Sequence, residues 1–349
     1  MNIVHIVPTG AWSGSEKIAF NFSNYLSDLK GVNSYIAIRT NNIFDIQFYK
    51  INLSERVKII DIPKTLKGAK AIADYIEEFC KRNGDIIDIA HGHLGLGCRI
   101  SACFNKSVYR IGHMHIRFFT PQFKNLDAVV AVSEWQLKDV PLWYEGDTYL
   151  VPNFIDELQD LTANELLAFK RRCYIKETDF VFGVISRLHL EKGVDLAIDA
   201  FKSIDIADIK LIIVGDGINS KYFKELAYED SRIIFTGFIS NASNYMQYLN
   251  CLVSPSRADS FGLSVLEGLY SEIPVVSTST MGSMDIMKDD PLLCRMDDAK
   301  ALAEKMMQAY NGQKNTCDYK QYNMVNSCKK MISIYASALE KIYSSKVMT

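Results

Sequence analysis

The chain has 349 residues, 48% hydrophobic and 23% charged, with a formal net charge of −2. At roughly 150 residues per domain, that length suggests two cores. The near-neutral balance argues against nucleic acid as the main partner, and eight cysteines without a C-x-x-C pair exclude the usual zinc and redox motifs.

The opening MNIVHIVPTG lacks the basic region and long apolar stretch of a signal peptide, and no run approaches the ~18 apolar residues of a membrane span. With thiols that read as reduced and buried, the expected location is cytoplasmic, with at most peripheral contact with a membrane. Strands are predicted at residues 3–7, 34–39, 57–60, 86–91, 108–113, 128–132 and 148–151, with helices at 16–29 and 68–81. A polar, helical segment at 157–176 comes next, and the pattern restarts. Strands are predicted at 180–186, 210–214, 233–236, 251–255 and 274–277, and helices at 194–203, 220–228, 242–249, 262–270 and 298–310. One or two helices close the chain at 322–344. Alternation of this kind predicts an α/β protein of two doubly wound, Rossmann-like domains facing across a cleft. The expected division is 1–155 for one domain, 156–325 for the second, and 326–349 for a closing helix packing back on the first.

In such sheets ligands sit beyond the carboxyl ends of the strands. The strand at 180–186 runs into R-L-H-L-E-K-G and then a helix, placing Arg187 and Lys192 in one loop at a helix start. Two cations with free backbone N–H groups suit a diphosphate. Gly215 and Gly237 come after the next two strands and permit close approach of a ligand. The backbone at Gly237-Phe238 is a candidate for reading a nucleobase edge. After the strand at 251–255 comes D-S-F-G-L-S-V-L-E. Its Asp259 is either a helix cap or a sugar-binding acid. Ser260, Ser264 and Glu267 recur at i, i+4 and i+7, one polar stripe of the ensuing helix, while Leu263 packs. Cations for a diphosphate and carboxylates for hydroxyl groups together describe a sugar nucleotide. The amino-terminal loop, residues 8–16, is either a second phosphate loop or a serine-capped helix start. It lacks G-x-G-x-x-G, so no nicotinamide cofactor is expected. His91, His93, His113 and His115 form two H-x-H pairs, each with both rings on one strand face. No carboxylate accompanies them at motif spacing, so no metal is expected. The reading is that one of them orients the acceptor or the transferring sugar and at least two are structural.

The order S-R-L-x-x-E-K-G, I-I-V-G-D-G, F-T-G-F and S-R-A-D-S-F-G-L-S-V-L-E-G, from about residue 180 to 274, resembles the retaining, nucleotide-sugar-dependent glycosyltransferases of family 4, which have the GT-B fold. The first half agrees more loosely, through Ser13-Gly14-Ser15-Glu16, V-V-A-V-S ending at Ser133 and V-P-N-F-I-D ending at Asp156. The resemblance implies that Arg187 and Lys192 hold the donor diphosphate, Glu267 the ribose and Asp259 the donor sugar. It places Gly14 near the phosphates, and the family's active-site histidine at His113 or His115. His93, Gly215, Gly237, Phe238, Ser260, Phe261, Gly262 and Leu263 complete the substrate-binding set. Asp259 stands where the family has glutamate, Ser13-Gly14 where it has a glycine pair, and a loop at Met281-Gly282-Ser283-Met284-Asp285 where it has a glycine pair and a glutamate.

The residues and the resemblance together imply a UDP-sugar donor and a metal- and cofactor-independent transfer. The acceptor that the resemblance implies is a glycan or lipid-linked glycan of lipopolysaccharide, O-antigen or capsule synthesis, met at the cytoplasmic face of the inner membrane. Lys64, Lys67 and Lys70 beside an amphipathic helix, and Ile116-Arg117-Phe118-Phe119, are candidates to meet that acceptor or an anionic bilayer. A core helix with solvated lysines is the alternative. Rival readings are a sugar-nucleotide epimerase or phosphorylase of the same architecture, and a non-catalytic nucleotide-sugar-binding partner.

Overall fold

A computed structural model describes residues 1–10, 12–41, 45–155 and 158–347. Ala11 of the glycine loop and Asp156 of the V-P-N-F-I-D motif lie outside them. The chain divides into two compact units, Met1–Phe154 with Tyr322–Thr349, and Ile155–Gln321.

The first unit alternates β1 (Asn2–Val7), α1 (Gly14–Ser27), β2 (Asn33–Ile38), α2 (Ile46–Ile51), β3 (Lys58–Asp61), α3 (Ala69–Arg82), β4 (Ile89–His93), α4 (Leu94–Ser101), β5 (Tyr109–Met114), α5 (Thr120–Phe123), β6 (Ala128–Ala131), α6 (Glu134–Asp139) and β7 (Asp147–Leu150). The sheet is parallel, in the order β3-β2-β1-β4-β5-β6-β7. Its central strands are buried on both faces, which is why Ile3, Val4, Ile6 and Val7 run together rather than alternate with polar residues.

The second unit contains α7 (Ala163–Arg172), β8 (Phe180–Ile185), α8 (Val194–Lys202), β9 (Ile209–Val214), α9 (Ser220–Ala227), β10 (Ile233–Gly237), β11 (Cys251–Ser254), α10 (Leu263–Tyr270), β12 (Val275–Thr278), α11 (Met281–Met287), β13 (Leu293–Cys294) and α12 (Ala299–Tyr310). Its sheet is also parallel, ordered β10-β9-β8-β11-β12-β13. The final helix, α13 (Met324–Val347), belongs to the first unit, where Ser327 donates to the Pro152 carbonyl (2.8 Å) and Lys341 pairs with Asp147.

Two expectations change, one strand was not expected, and one open alternative is decided. The segment expected as a helix at 242–249 is a 3₁₀ helix, Ala242–Tyr248, rich in Ser, Asn and Tyr, which disfavour an α-helix interior. The expected loop at 281–285 is helical, started by Thr280, whose hydroxyl accepts the Ser283 N–H (3.2 Å). The edge strand β13 is too short to leave a pattern. The apolar face of α3, Ile72, Ala73, Ile76 and Cys80, is buried in one cluster with Val4, Ile6 and Tyr35. That helix is therefore a core element and not a bilayer-lying one. Lys70 on its exposed face pairs with Asp74.

Ile76→Ala should cost about 2–5 kcal/mol, because it empties a fully buried site. Lys70→Ala, on the solvated face, should leave the urea midpoint where it is. Equal effects of the two substitutions would contradict the packing of α3.

Candidate active site

Both sheets reverse their strand order between the first and fourth strands of the unit, β1 and β4 in one and β8 and β11 in the other. Ligands of such sheets bind beyond the carboxyl ends at this switch point. The loops after β8 and β11 carry Arg187, Lys192 and Asp259.

Arg187 is exposed directly after β8, and its side chain has no hydrogen-bond or ion-pair partner among the described residues. Lys192 ends a short 3₁₀ turn, Leu190–Lys192, and its Nζ lies 2.8 Å from Asp259 Oδ2. Both side chains of this pair retain about a fifth of their exposure, 22% and 19%. Asp259 is not the helix cap. Its Oδ1 accepts the N–H of Gly262 (3.2 Å), which itself caps α10 in a left-handed conformation (φ +90°). Since α10 begins at Leu263, Ser260 is not on it. The expected polar stripe shrinks to Ser264 and Glu267, both half-buried. Phe261 is buried (3% exposed). Gly282 fits against it so closely that a Cβ there would lie 2.4 Å from the Phe261 nitrogen, and Gly282 N–H donates to the Asp259 carbonyl (3.1 Å). The remaining glycine at 281–285 thus shapes the Asp259–Gly262 loop.

The sequence reading left Arg257 without a role. Its guanidinium takes both oxygens of Asp195 (2.9 and 2.8 Å), the Leu190 carbonyl (2.7 Å) and Asp297 (2.6 Å), and its backbone N–H takes the Glu191 carbonyl (2.8 Å). This arginine ties the β11 loop to the β8 loop. Gly193 (φ +62°) makes the join possible, because a Cβ there would lie 1.9 Å from the Pro255 carbonyl oxygen. The charge of Arg257 and the adjacent E-K-G triplet were visible in the sequence; that they meet was not.

At the next strand ends, Gly215 (φ +139°) fits over the Ser186 carbonyl and donates its N–H to Gly237 (2.9 Å). Gly237 (φ +72°) faces open space, and Phe238 beside it is 57% exposed. An exposed aromatic at an open strand end suits stacking of a flat ring.

In the first unit, Gly14 opens α1 behind Ser13. The hydroxyl groups of this loop are aimed at Glu16, buried to 2% exposure, whose carboxylate accepts from Thr9 Oγ1 (2.7 Å), Ser15 Oγ (3.0 Å), Ser13 N (3.1 Å) and the Ser13 hydroxyl. Burial alone would raise its pKa. The donors from Ser13, Thr9, its own N–H and Ser15 outweigh it and hold the carboxyl below its usual range. The loop hydroxyls therefore serve as a capped helix start.

His93 ends β4, His113 lies within β5 and His115 just past it. The sequence reading missed His5, which β1 places beside His91 in the register. His5, His91, His93 and His113 are fully buried, and His115 is half-buried. Burial pushes His5 down to about 3 and His115 to about 4, the latter opposed by Glu16. It holds His91, His93 and His113 well below the usual imidazole range, helped by their neighbours. Two triads, His5–His91–His93 and His93–His113–His115, each bring three nitrogens within 4.8 Å of one another. The rings of the second triad lie 10–29° apart, whereas His5 is tilted 33° to both His91 and His93 in the first. Their nitrogens already face one another at hydrogen-bond distance, as between His5 and His93 (2.8 Å) and between His93 and His115 (3.1 Å). The arrangement fits a hydrogen-bonded cluster better than a metal centre.

Neutral histidines in the folded state and ordinary ones in the unfolded chain make stability present above about pH 6.5 and lost as pH falls toward 4 and 3. Each contributes a slope of about 1.4 kcal/mol per pH unit within that window. Scanning calorimetry should show the first unit melting progressively earlier below pH 6.5, ahead of the second. A first-unit midpoint constant down to pH 5 would contradict the buried neutral cluster.

Residues 168–325 match the family model of glycosyl transferases group 1. The chain is 25% identical over 305 residues to the N-acetyl-alpha-D-glucosaminyl L-malate synthase of Bacillus anthracis, covering 79% of this chain and 78% of that protein. It is 28% identical over 133 residues to the O-antigen biosynthesis glycosyltransferase WclY of Escherichia coli, 37% of each. Two other curated glycosyltransferases are matched over only 51% and 47% of their own length. Among solved structures, HepE of Anabaena in complex with UDP and glucose has a TM-score of 0.76 at 17% identity, over 96% of this chain and 99% of that one. That likeness concerns the fold.

Proposed function

We propose that this chain, a group 1 glycosyltransferase of the GT-B fold, moves a sugar from a UDP-sugar to a hydroxyl group of a glycan or lipid-linked glycan. The transfer retains anomeric configuration and needs no divalent metal. The observation that carries the reading is the meeting of Lys192 and Asp259 at the β8/β11 switch point, with Arg187 exposed beside them. A diphosphate arriving there takes Arg187 and Lys192, and Asp259 is released to accept from sugar hydroxyl groups. Glu267 one turn into α10 is assigned to the ribose, and Gly237 and Phe238 to the base. HepE, of similar fold, is known in complex with UDP, which supports a uridine donor.

In the reaction the bond from the anomeric carbon to the diphosphate oxygen breaks, and a bond from that carbon to the acceptor oxygen forms. The acceptor proton passes to the leaving diphosphate on the same face. The two cations stabilise the negative charge that grows on the leaving group, where fixed charges act without reorganisation. His113 or His115 orients the acceptor or the transferring sugar. For the acceptor, Ile116 and Phe119 are 46% and 52% exposed, and Trp143, 54% exposed, packs its ring against Phe118 beside them. This apolar surface suits a lipid-linked glycan. Relatives named for O-antigen and capsule synthesis favour a surface polysaccharide product.

Lys192→Ala should raise the barrier by about 3–4 kcal/mol, a loss of ~100-fold or more in kcat. Unchanged turnover would remove Lys192 from the mechanism. Transfer should persist in excess chelator, and abolition by chelator with rescue by a divalent ion would overturn the metal-independent reading. Donor incubated without acceptor should give neither epimer nor sugar phosphate.

A further inference from the structure

The histidine cluster carries an order that its burial alone does not require. His93 Nδ1 meets His115 Nε2 (3.1 Å), and His5 Nδ1 meets His93 Nε2 (2.8 Å). His5 Nε2 meets the hydroxyl of Tyr335 on α13 (3.4 Å), which also meets His91 Nδ1 (2.6 Å). His91 Nε2 meets His113 Nδ1 (3.3 Å), and His113 Nε2 is buried without a partner. The six side chains form a single file: His115, His93, His5, Tyr335, His91, His113. Its two ends, His115 and His113, stack with ring centroids 4.6 Å apart.

Each contact needs one proton, and every neutral ring has one to give. Every ring-to-ring contact joins an Nδ1 to an Nε2, so the tautomer of one ring dictates that of the next. Tyr335 has one hydroxyl proton. It can donate to only one of His5 and His91 and must accept from the other, or its buried O–H goes unpaired. We infer that Tyr335 and these five histidines form one proton-ordered chain in which all five imidazoles share a single tautomer. Tyr335 is then a positioning residue that sets the donor and acceptor roles of His113 and His115 together. His113 Nε2 is buried with no partner to receive a proton, and the ionised Glu16 pulls the His115 pKa upward against its burial; both favour the polarity with protons directed toward His115. Every ring then carries its proton on Nδ1. His115 Nδ1–H is a donor at one end, and His113 Nε2 is a bare acceptor stacked beside it. A hydroxyl group that exchanges donor for acceptor at His115 must reverse all five rings. The consequence for substrate rests on the reading of His113 or His115 as the site's histidine; the order of the chain does not.

Long-range ¹H–¹⁵N correlation spectra of the full chain, labelled at histidine and recorded without substrate at pH 7.5, distinguish the tautomers. His189→Gln identifies the one histidine outside the file. The expected wild-type spectrum has all five rings protonated on Nδ1. Uniform protonation on Nε2 would keep the chain and overturn the role of Glu16. Mixed tautomers among the five, or shifts that change on treatment with a chelator, would overturn the chain itself. In Tyr335→Phe, His91 and His113 should move to averaged tautomer signals while His5, His93 and His115 keep theirs. A folded variant with the wild-type pattern would also overturn the inference. No substrate enters these spectra, so their outcome stands apart from the Lys192→Ala kinetics.

Discussion

The second unit is organised around the approach of two strand ends. β8 and β11 are hydrogen-bonded neighbours, so the loops that leave them must share one small space. Gly193 gives up its side chain to the Pro255 carbonyl, and Arg257 binds both loops and the first turn of α8 through Asp195. Only with this join in place do Lys192 and Asp259 stand 2.8 Å apart. Either residue alone on a surface loop would be an ordinary solvated charge worth little. Together, at a switch point, they form a prepositioned cation with a displaceable counter-ion.

The pair also explains how acids and cations coexist in a site for an anion. Without ligand, Asp259 neutralises Lys192 and keeps the ammonium oriented. In the proposed reading, a diphosphate competes for the ammonium through its higher charge, and the carboxylate is left to sugar hydroxyl groups. Aspartate, shorter by one methylene than glutamate, reaches both Lys192 and the Gly262 N–H while its own backbone carbonyl holds Gly282. The shorter acid is thus accommodated by the local turn, whose left-handed Gly262 starts α10 late.

The sequence showed the periodic parts well because parallel, doubly covered strands leave continuous apolar runs, as in 209–214 and 128–131. It failed where structure depends on few residues or on distant ones. β13 is two residues long, and α11 rests on one threonine cap. The helical stripe from Ser260 was misread because periodicity carries no sign of a φ of +90° at Gly262. Arg187, Lys192 and Asp259 were legible as residues in loops after strands, and Glu267 as a polar position on the helix that follows. Arg257 as the tie and His5 as the fifth imidazole were not, since one acts across 62 residues to Asp195 and the other across 88 to His93. Tyr335, 244 residues from His91, lies beyond any local pattern.

The central claim is that a guanidinium and an ammonium at the β8 loop hold the phosphates of the donor. Calorimetric titration of UDP and of uridine into the wild-type chain and the Arg187→Ala/Lys192→Ala variant tests it most directly, because the two ligands differ only in the diphosphate. The account predicts a strong wild-type preference for UDP that collapses in the variant while uridine binding is retained. A variant that still prefers UDP as the wild type does would contradict it.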